Sequence, residues 1–321
     1  MWLRYAAAMR PRLGVNLLHG DPTRWLDDCR RVEALGFDEI SVADHLVEGS
    51  KNPMVALAAA AAVTERVTLS TMVLNNLLRH PGELAAEAAM LQLLSGGRLT
   101  LGMGAGYAAS EHDAIGVPLP AVEERMARLE EAVGALRPLL RGDTVTTAGP
   151  HYRFTDHRVW PVPDRAVPIL VGGGSRRLLE IAARRGDVVG FTGFSVRRSG
   201  PHLTHFSADG LQRRWELVQE VAGDRAGDLQ FQVLVQQVTI TDDRESAAAT
   251  LAAAWRAEGA EVTTDEVLDC PFLLLGSPTD IVGQLRDGAE RWGIETWTTF
   301  SGRPDDPPLE AVAEVAAELG R

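Results

Sequence analysis

The residues that could do chemistry in this sequence are polar residues and glycines that stand directly after short apolar runs. Asp44 and His45 come first, and a histidine beside a carboxylate is a candidate general acid or base because imidazole titrates near neutral pH. The plainer interpretation is a histidine that caps a helix or makes a structural hydrogen bond. Asn75 and Asn76 follow a second apolar run, and the segment Arg79-His80-Pro81 after them suits the first turn of a helix.

Two glycine clusters follow later apolar runs. In the segment Gly172-Gly173-Gly174-Ser175, glycines would let backbone N–H groups approach a ligand, and the helix predicted after them would favour an anion at its amino end. A tight turn that needs glycine for its backbone angles explains the same residues equally well. The segment Gly102-Met103-Gly104-Ala105-Gly106 is weaker evidence, because its third glycine comes one residue too early for the dinucleotide-binding fingerprint.

The elements that must position these residues alternate along the chain as strand and helix. Continuous apolar strands alternating with helices are typical of a parallel sheet covered by helices, so the sequence predicts an α/β fold of the (β/α)8 TIM-barrel class with insertions. An open dinucleotide-binding sheet is disfavoured, because the turn after the first strand is His19-Gly20-Asp21-Pro22. The predicted strands are 13–18, 39–43, 67–74, 99–102, 168–171, 188–191, 229–240 and 295–300. The predicted helices are 23–35, 53–64, 81–94, 121–140, 176–185, 208–221, 244–258, 279–292 and 309–319.

No composition break or linker divides the chain, so residues 1–321 are predicted to form a single domain, with residues 1–10 as a disordered extension. In a barrel of this class the active site lies at the carboxyl ends of the strands. The polar and glycine residues described above are therefore expected to meet at one rim.

Composition excludes several classes of chemistry. Lys51 is the only lysine and lies in a turn-like segment with no phosphate-loop pattern, so Schiff-base, pyridoxal phosphate and Walker-loop chemistry are set aside. A net charge of −12 disfavours nucleic acid or an anionic membrane as a partner. Cys29 and Cys270 form no disulfide framework and the apolar runs are too short to span a bilayer, so a cytoplasmic protein is expected. No histidine or cysteine pair has the spacing of metal ligands, so no metal is expected.

Six segments of the chain occur in the order expected of a known family. They are 42–46, 73–81, 94–111, 171–175, 222–225 and 271–276. Any one of them is weak evidence, but six in order are strong, and the resemblance extends over nearly the whole chain. The chain therefore resembles the luciferase-like monooxygenase superfamily, in the branch that uses the deazaflavin coenzyme F420.

The resemblance implies that a deazaflavin lies in the barrel mouth, and that a cis peptide bond joins Met72 and Val73 behind its ring. The residues implied around the ring and ribityl chain are Asp44, His45, Met72, Val73, Asn75, Gly104, Ala105, Gly106, Tyr107 and Ser110. Those implied at the phosphate are Gly172, Gly173, Gly174, Ser175 and Arg176. Because the coenzyme is anionic and the chain is acidic, a local positive patch of Arg79, Arg176 and Arg177 is expected to capture it.

The implied activity is hydride transfer between C5 of the deazaflavin and a small organic substrate, with reduction of an activated C=C or C=N bond as the expected reaction. His45 is the first candidate for the proton donor or for polarising the ring. Tyr107 is the second, because its hydroxyl would lie at the mouth. Two alternatives stay open: an FMN-dependent monooxygenase of a two-component system, and a non-catalytic protein that binds a flavin or deazaflavin. The resemblance also implies a homodimer.

Two positions depart from the sugar-phosphate dehydrogenases of this branch. Those enzymes carry a carboxylate directly after the glycine turn and a tryptophan four residues after the histidine, where this chain has Tyr107 and Gly49. They also use lysines for the substrate phosphate, and Lys51 stands alone here. A sugar phosphate is therefore disfavoured as the substrate. The loop 193–210 is expected to cover the substrate pocket.

Overall fold

The structure is a computed structural model, and it describes residues 10–17, 21–47, 49–193, 195–197, 200–202 and 206–320. The extension predicted for residues 1–10 lies, apart from Arg10, outside the described residues. So does part of the predicted pocket loop 193–210.

The described residues form fifteen strands and eleven α-helices. The strands are β1 Arg12–Leu17, β2 Glu39–Val42, β3 Thr68–Thr71, β4 Leu74–Asn75, β5 Leu99–Gly104, β6 Val145–Ala148, β7 Arg153–His157, β8 Ile169–Gly173, β9 Val188–Thr192, β10 Ser195–Arg197, β11 Gly200–His202, β12 Gln230–Leu234, β13 Gln237–Ile240, β14 Leu273–Gly276 and β15 Ile294–Ser301. The helices are α1 Trp25–Ala34, α2 Pro53–Ala61, α3 Pro81–Leu94, α4 Ala109–Ala114, α5 Val122–Leu140, α6 Arg176–Arg185, α7 Ala208–Ala222, α8 Arg244–Ala257, α9 Thr264–Leu268, α10 Pro278–Trp292 and α11 Leu309–Leu319.

Eight parallel strands close into a barrel, which confirms the predicted fold class. Their order is β3-β2-β1-β15-β12-β9-β8-β5, and pairing of β3 with β5 closes the ring. The short strand β4 resumes the third strand after a break and pairs with the end of β5. Every residue of β2 and β5 is buried, which explains why the barrel strands read as continuous rather than alternating runs.

Two segments differ from the predicted elements. The predicted strand 229–240 is two strands, β12 and β13. The backbone pairs with the barrel strand β15 up to Val235 and with β14, outside the barrel, from Gln236 onward. The N–H of Val235 still donates to the carbonyl of Thr298 in β15, whereas that of Gln236 donates to the carbonyl of Phe272, just before β14. The stretch 142–165, predicted to be irregular, contains the antiparallel hairpin β6–β7. Its strands are mostly exposed and polar, so they leave no hydrophobic pattern to detect.

The barrel interior holds a polar cluster centred on Glu39. The Glu39 Oε1 accepts hydrogen bonds from Gln232 Nε2 and Thr298 Oγ1, each at 2.8 Å. Burial raises the pKa of Glu39 in spite of these hydrogen bonds. Gly14 is needed beside the cluster, since a Cβ there would lie 3.0 Å from Glu39 and from Thr298. The interior at this level is thus filled by side chains.

Candidate active site at the barrel mouth

Asp44 follows β2 and connects it to the segment after β4. Its carboxylate accepts hydrogen bonds from Arg79 Nη1 at 2.5 Å, from Arg79 Nη2 at 3.2 Å and from the backbone N–H of Asn75 at 2.9 Å. The side chains of Asp44 and Arg79 are 4% and 15% exposed. A two-point arginine–carboxylate pair of this kind fixes geometry as well as charge. Asp44 and Arg79 therefore hold the rim together.

His45 lies between an acid and a phenol. Its Nδ1 is 2.8 Å from Glu111 Oε1, and its Nε2 is 3.3 Å from the hydroxyl of Tyr107. The other oxygen of Glu111 accepts the backbone N–H of Leu46 at 2.9 Å. Partial desolvation at the mouth, with a smaller contribution from Glu111, raises the pKa of Tyr107. The two predicted catalytic residues are therefore in contact, and Glu111 joins them although it was predicted only as part of a family segment.

The side chain of Asn75 is used within the protein. Its Oδ1 accepts the backbone N–H of Leu77 at 3.0 Å, and its Nδ2 lies 3.0 Å from Nε2 of His112. His112 is buried, and its Nδ1 is 3.2 Å from the carbonyl of Val117, so the ring accepts at Nε2 and donates at Nδ1. A Cβ on Gly106, where φ is 73°, would lie 2.4 Å from Asn75 Oδ1. The side chain of Asn75 thus requires a glycine at position 106, and its contact with His112 anchors α4.

The glycines of β5 are needed by the third strand. The peptide bond between Met72 and Val73 is cis, as the resemblance implied. A Cβ on Gly102 would lie 1.9 Å from the carbonyl oxygen of Thr71, and one on Gly104 would lie 2.5 Å from Val73 Cγ2. Close approach of two strands accounts for these glycines without any ligand.

In the second glycine cluster, 172–174, only one glycine could be replaced by a residue with a Cβ without a close contact. A Cβ on Gly172 or Gly173 would come within 3.0 Å of a neighbouring side chain. On Gly174 it would lie 3.5 Å from Arg214 Nη1, which is an ordinary contact distance. Ser175 caps α6 through its side chain. A Cβ would therefore fit at Gly174, in contact with Arg214 and Thr192, but not at Gly172 or Gly173 without a shift of the neighbouring side chain.

Arg214 is the residue of this region that sequence reasoning missed. It lies on α7 and is 5% exposed, and its Nη1 donates to the carbonyl of Thr192 at 2.7 Å. Its Nε donates to the carbonyl of Gly210 at 3.1 Å, and its guanidinium packs over the rings of Phe191 and Phe272. Burial lowers the pKa of Arg214 to about 10, so it is charged at neutral pH. Its position on the buried face of an amphipathic helix is the signal that could have singled it out.

The predicted positive patch is largely neutralised by its own partners. Arg176 Nε lies 3.0 Å from Glu180, and Arg177 Nη2 lies 2.5 Å from Glu130. Arg79 is paired with Asp44, as described above. The guanidinium of Arg214 lies closest to the Cβ position of Gly174.

The remaining predicted residues lie on the same rim. Ala105 is buried after β5, and Ser110 is exposed on α4. Lys51 Nζ lies 3.4 Å from the carbonyl of Leu17 at the end of β1 and 5.4 Å from the ring centre of Trp25. The assignment of the predicted residues as cofactor contacts stays a prediction. Within the described ranges, no helix is long and apolar enough to cross a bilayer, and no group of His, Cys, Asp or Glu side chains is arranged to hold a metal ion.

Comparison with known proteins identifies the family. Residues 8–296 match the model of the luciferase-like monooxygenase family, and the chain belongs to that family. Over 162 residues it is 40% identical to an F420-dependent glucose-6-phosphate dehydrogenase of Beutenbergia cavernae, and this match covers 48% of each chain. Over 233 residues it is 32% identical to an enzyme of the same name from Nakamurella multipartita, covering 70% of this chain and 66% of that one. The chain thus matches about half the length of the first of these relatives.

The fold is also similar to that of a solved F420-dependent secondary alcohol dehydrogenase in complex with an F420-acetone adduct. The TM-score is 0.74, and the match covers 97% of this chain and 98% of that one. Sequence identity is 19%, so this likeness concerns the fold alone.

Proposed function

We propose that the protein is a coenzyme F420-dependent oxidoreductase that transfers a hydride between C5 of the deazaflavin and a small organic substrate. The observation that carries this proposal is the meeting of His45 and Tyr107 at the same barrel rim as the glycine turn 172–175. The names of the sequence relatives support the choice of coenzyme. When bound, the deazaflavin would supply the hydride chemistry, while the protein binds and orients it and handles the proton.

The residues present fit the anionic part of such a coenzyme. Gly174 has no side chain to cover its backbone, and its Cβ position lies 3.5 Å from the charged guanidinium of Arg214. Backbone N–H groups at the amino end of α6 add to the attraction for a phosphate. Gly172, Gly173, Ser175 and Arg176 are proposed to complete this site.

Residues at the other side of the mouth would hold the ring. His45, Val73, Tyr107 and Ser110 are the proposed direct contacts. Met72, Gly104 and Ala105 would shape the backbone there. Asp44 and Asn75 make their side-chain hydrogen bonds within the protein, so they would act by keeping the rim in place.

The substrate class that we favour is a small neutral compound with an activated C=C or C=N bond. Lys51 is half-buried against Trp25, and it is the only lysine of the chain. A phosphorylated sugar would therefore lack lysine partners at this mouth.

Binding and turnover test the proposal in sequence. Purified protein is titrated with F420 and with FMN, and binding is followed by fluorescence. Binding of F420 and not FMN is expected, followed by oxidation of reduced F420 with cyclohex-2-en-1-one or 1-pyrroline, and no F420 reduction with glucose 6-phosphate. Binding of FMN alone would favour a two-component monooxygenase. F420 binding without turnover on any probe would favour a non-catalytic role.

A further inference from the structure

Three residues at the mouth form a series from buried to open. The side chain of Glu111 is 9% exposed and that of His45 is 26% exposed, while Tyr107 as a whole is 51% exposed. They are joined in that order by contacts of 2.8 Å and 3.3 Å. The rings of His45 and Tyr107 meet edge to face, at 78° with centres 5.8 Å apart. The series therefore leads from a buried carboxylate to a phenol that a substrate can reach.

The positions of the protons follow from the partners. A carboxylate only accepts hydrogen bonds, and Glu111 accepts one from the Leu46 backbone with its second oxygen, so the first oxygen takes the Nδ1 proton of His45. A neutral imidazole with its proton on Nδ1 has a lone pair on Nε2. The hydroxyl of Tyr107 must then donate to Nε2, which leaves its oxygen lone pairs directed elsewhere. Tyr107 keeps its proton at neutral pH, since the ordinary pKa of a tyrosine, 10.0, already lies well above neutrality and burial raises it further.

We propose that Glu111, His45 and Tyr107 form a proton relay, in which Tyr107 meets the substrate and Glu111 is a positioning residue. The relay rests on the proposed function. When a substrate is oxidised, a bound deazaflavin would take the hydride from its carbon. The proton that the substrate gives up, from O–H, N–H or the carbon next to an activating carbonyl, would pass to the Tyr107 oxygen. Tyr107 gives its own proton to His45 Nε2 in the same step, and the imidazolium lies beside the Glu111 carboxylate. Reduction of a substrate reverses each transfer.

A phenol suits the outer position of such a relay. It donates one hydrogen bond to His45 and can accept another from the substrate at the same time. An ionised carboxylate in its place could only accept, so it could not pass its own proton to His45. Tyr107 therefore makes His45 act through a second group rather than on the substrate itself.

The tautomer of His45 tests the geometry without any coenzyme. In protein labelled with nitrogen-15 at histidine, nuclear magnetic resonance should show the His45 proton on Nδ1, with the signal assigned by its loss in His45→Asn. Glu111→Ala should shift the neutral ring toward the Nε2 tautomer. Glu124→Ala, at an exposed glutamate on α5, is the matched control and should change nothing. A wild-type ring protonated on Nε2 would overturn the relay.

Turnover tests the role of the tyrosine. With reduced F420 and the best of the probes above, Tyr107→Phe should lower kcat about 100-fold, the usual contribution of a positioned acid or base. Its Kd for F420 and its KM should change little. Glu111→Ala should lower kcat and alter its pH profile. Full turnover by Tyr107→Phe would refute the relay while leaving the proposed oxidoreductase intact. Absence of turnover with every probe would count against the oxidoreductase, and the tautomer would still decide the relay geometry.

Discussion

Asp44 and Arg79 form an ion pair at the rim, and removing one of its partners should lower the free energy of unfolding. Asp44 and Arg79 meet in a nearly dry site, and taking away one partner of such a pair leaves the other charge buried and alone. Arg79→Ala should therefore lower the free energy of unfolding by about 3 to 5 kcal/mol. Adding Asp44→Asn should recover part of this, because the amide carries no charge. Denaturant unfolding followed by circular dichroism measures both variants.

A surface pair provides the control for that measurement. Arg128 and Glu124 pair on the exposed face of α5, with side chains 35% and 44% exposed. Arg128→Ala should cost less than about 1 kcal/mol, as exposed pairs usually do. If Arg79→Ala cost no more than Arg128→Ala, the structural role of Asp44 and Arg79 would be wrong.

Sequence reasoning, including the family resemblance, predicted part of the candidate site. Asp44, His45 and Tyr107 were named because they follow strands or match a family segment, and the structure places all three at one rim. The partnership of His45 with Glu111 could not be predicted from local pattern, because 66 residues separate them and only barrel closure brings them together. Arg214 was missed although its place on the buried face of an amphipathic helix was a local signal; its approach to the turn after β8 could not be predicted, because it depends on barrel closure.

The close approach of β3 and β5 at Gly102 leads to a prediction about stability. Gly102 of β5 lies so close to β3 that a Cβ would be 1.9 Å from the Thr71 carbonyl oxygen. Since backbone must move to admit it, Gly102→Ala should lower the free energy of unfolding by more than about 3 kcal/mol. Gly134 of α5 is the control, because its Cβ position has no atom within 4 Å. Gly134→Ala should raise stability by about 0.5 to 1 kcal/mol through its helix preference. Similar stabilities for the two variants in chemical unfolding would contradict this account of the β5 glycines.

The approach of α7 to the turn after β8 leads to a binding prediction. Arg214→Gln removes the charge beside Gly174, so its Kd for F420 should rise about tenfold or more, equivalent to about 1.4 kcal/mol or above. Binding of the phosphate-free chromophore 8-hydroxy-5-deazariboflavin should be nearly unchanged. Arg213→Gln, at the exposed neighbouring position, should bind both as the wild type does. Equal losses for F420 and the phosphate-free chromophore in Arg214→Gln would mean that Arg214 acts only on folding.

Elements were predicted best where a cap marks an end. The helices α3, α6 and α11 have the predicted bounds, and α3 and α6 each follow a side-chain cap, His80 or Ser175. The predicted strand 67–74 is divided by the cis bond, and 229–240 is divided by a change of pairing partner. Both breaks depend on contacts with strands that are distant in sequence, so hydrophobic pattern could not locate them.

Glu39 of β2 links three barrel strands by hydrogen bonds, since it accepts from Gln232 of β12 and Thr298 of β15. Its ionisation should therefore make the stability of the whole molecule depend on pH. Its pKa is raised by burial above the ordinary value of 4.5, so both the folded and unfolded states are protonated well below that pH. As pH rises above 4.5, the unfolded chain loses the proton first, and folding becomes less favourable until the folded pKa is passed. Glu39→Gln removes this loss while Oε1 still accepts both hydrogen bonds. Its Tm relative to the wild type should therefore increase between pH 4 and pH 8, whereas Glu124→Gln should follow the wild type throughout. A Tm difference for Glu39→Gln that stays constant with pH would show that the barrel centre tolerates an ionised Glu39 without cost.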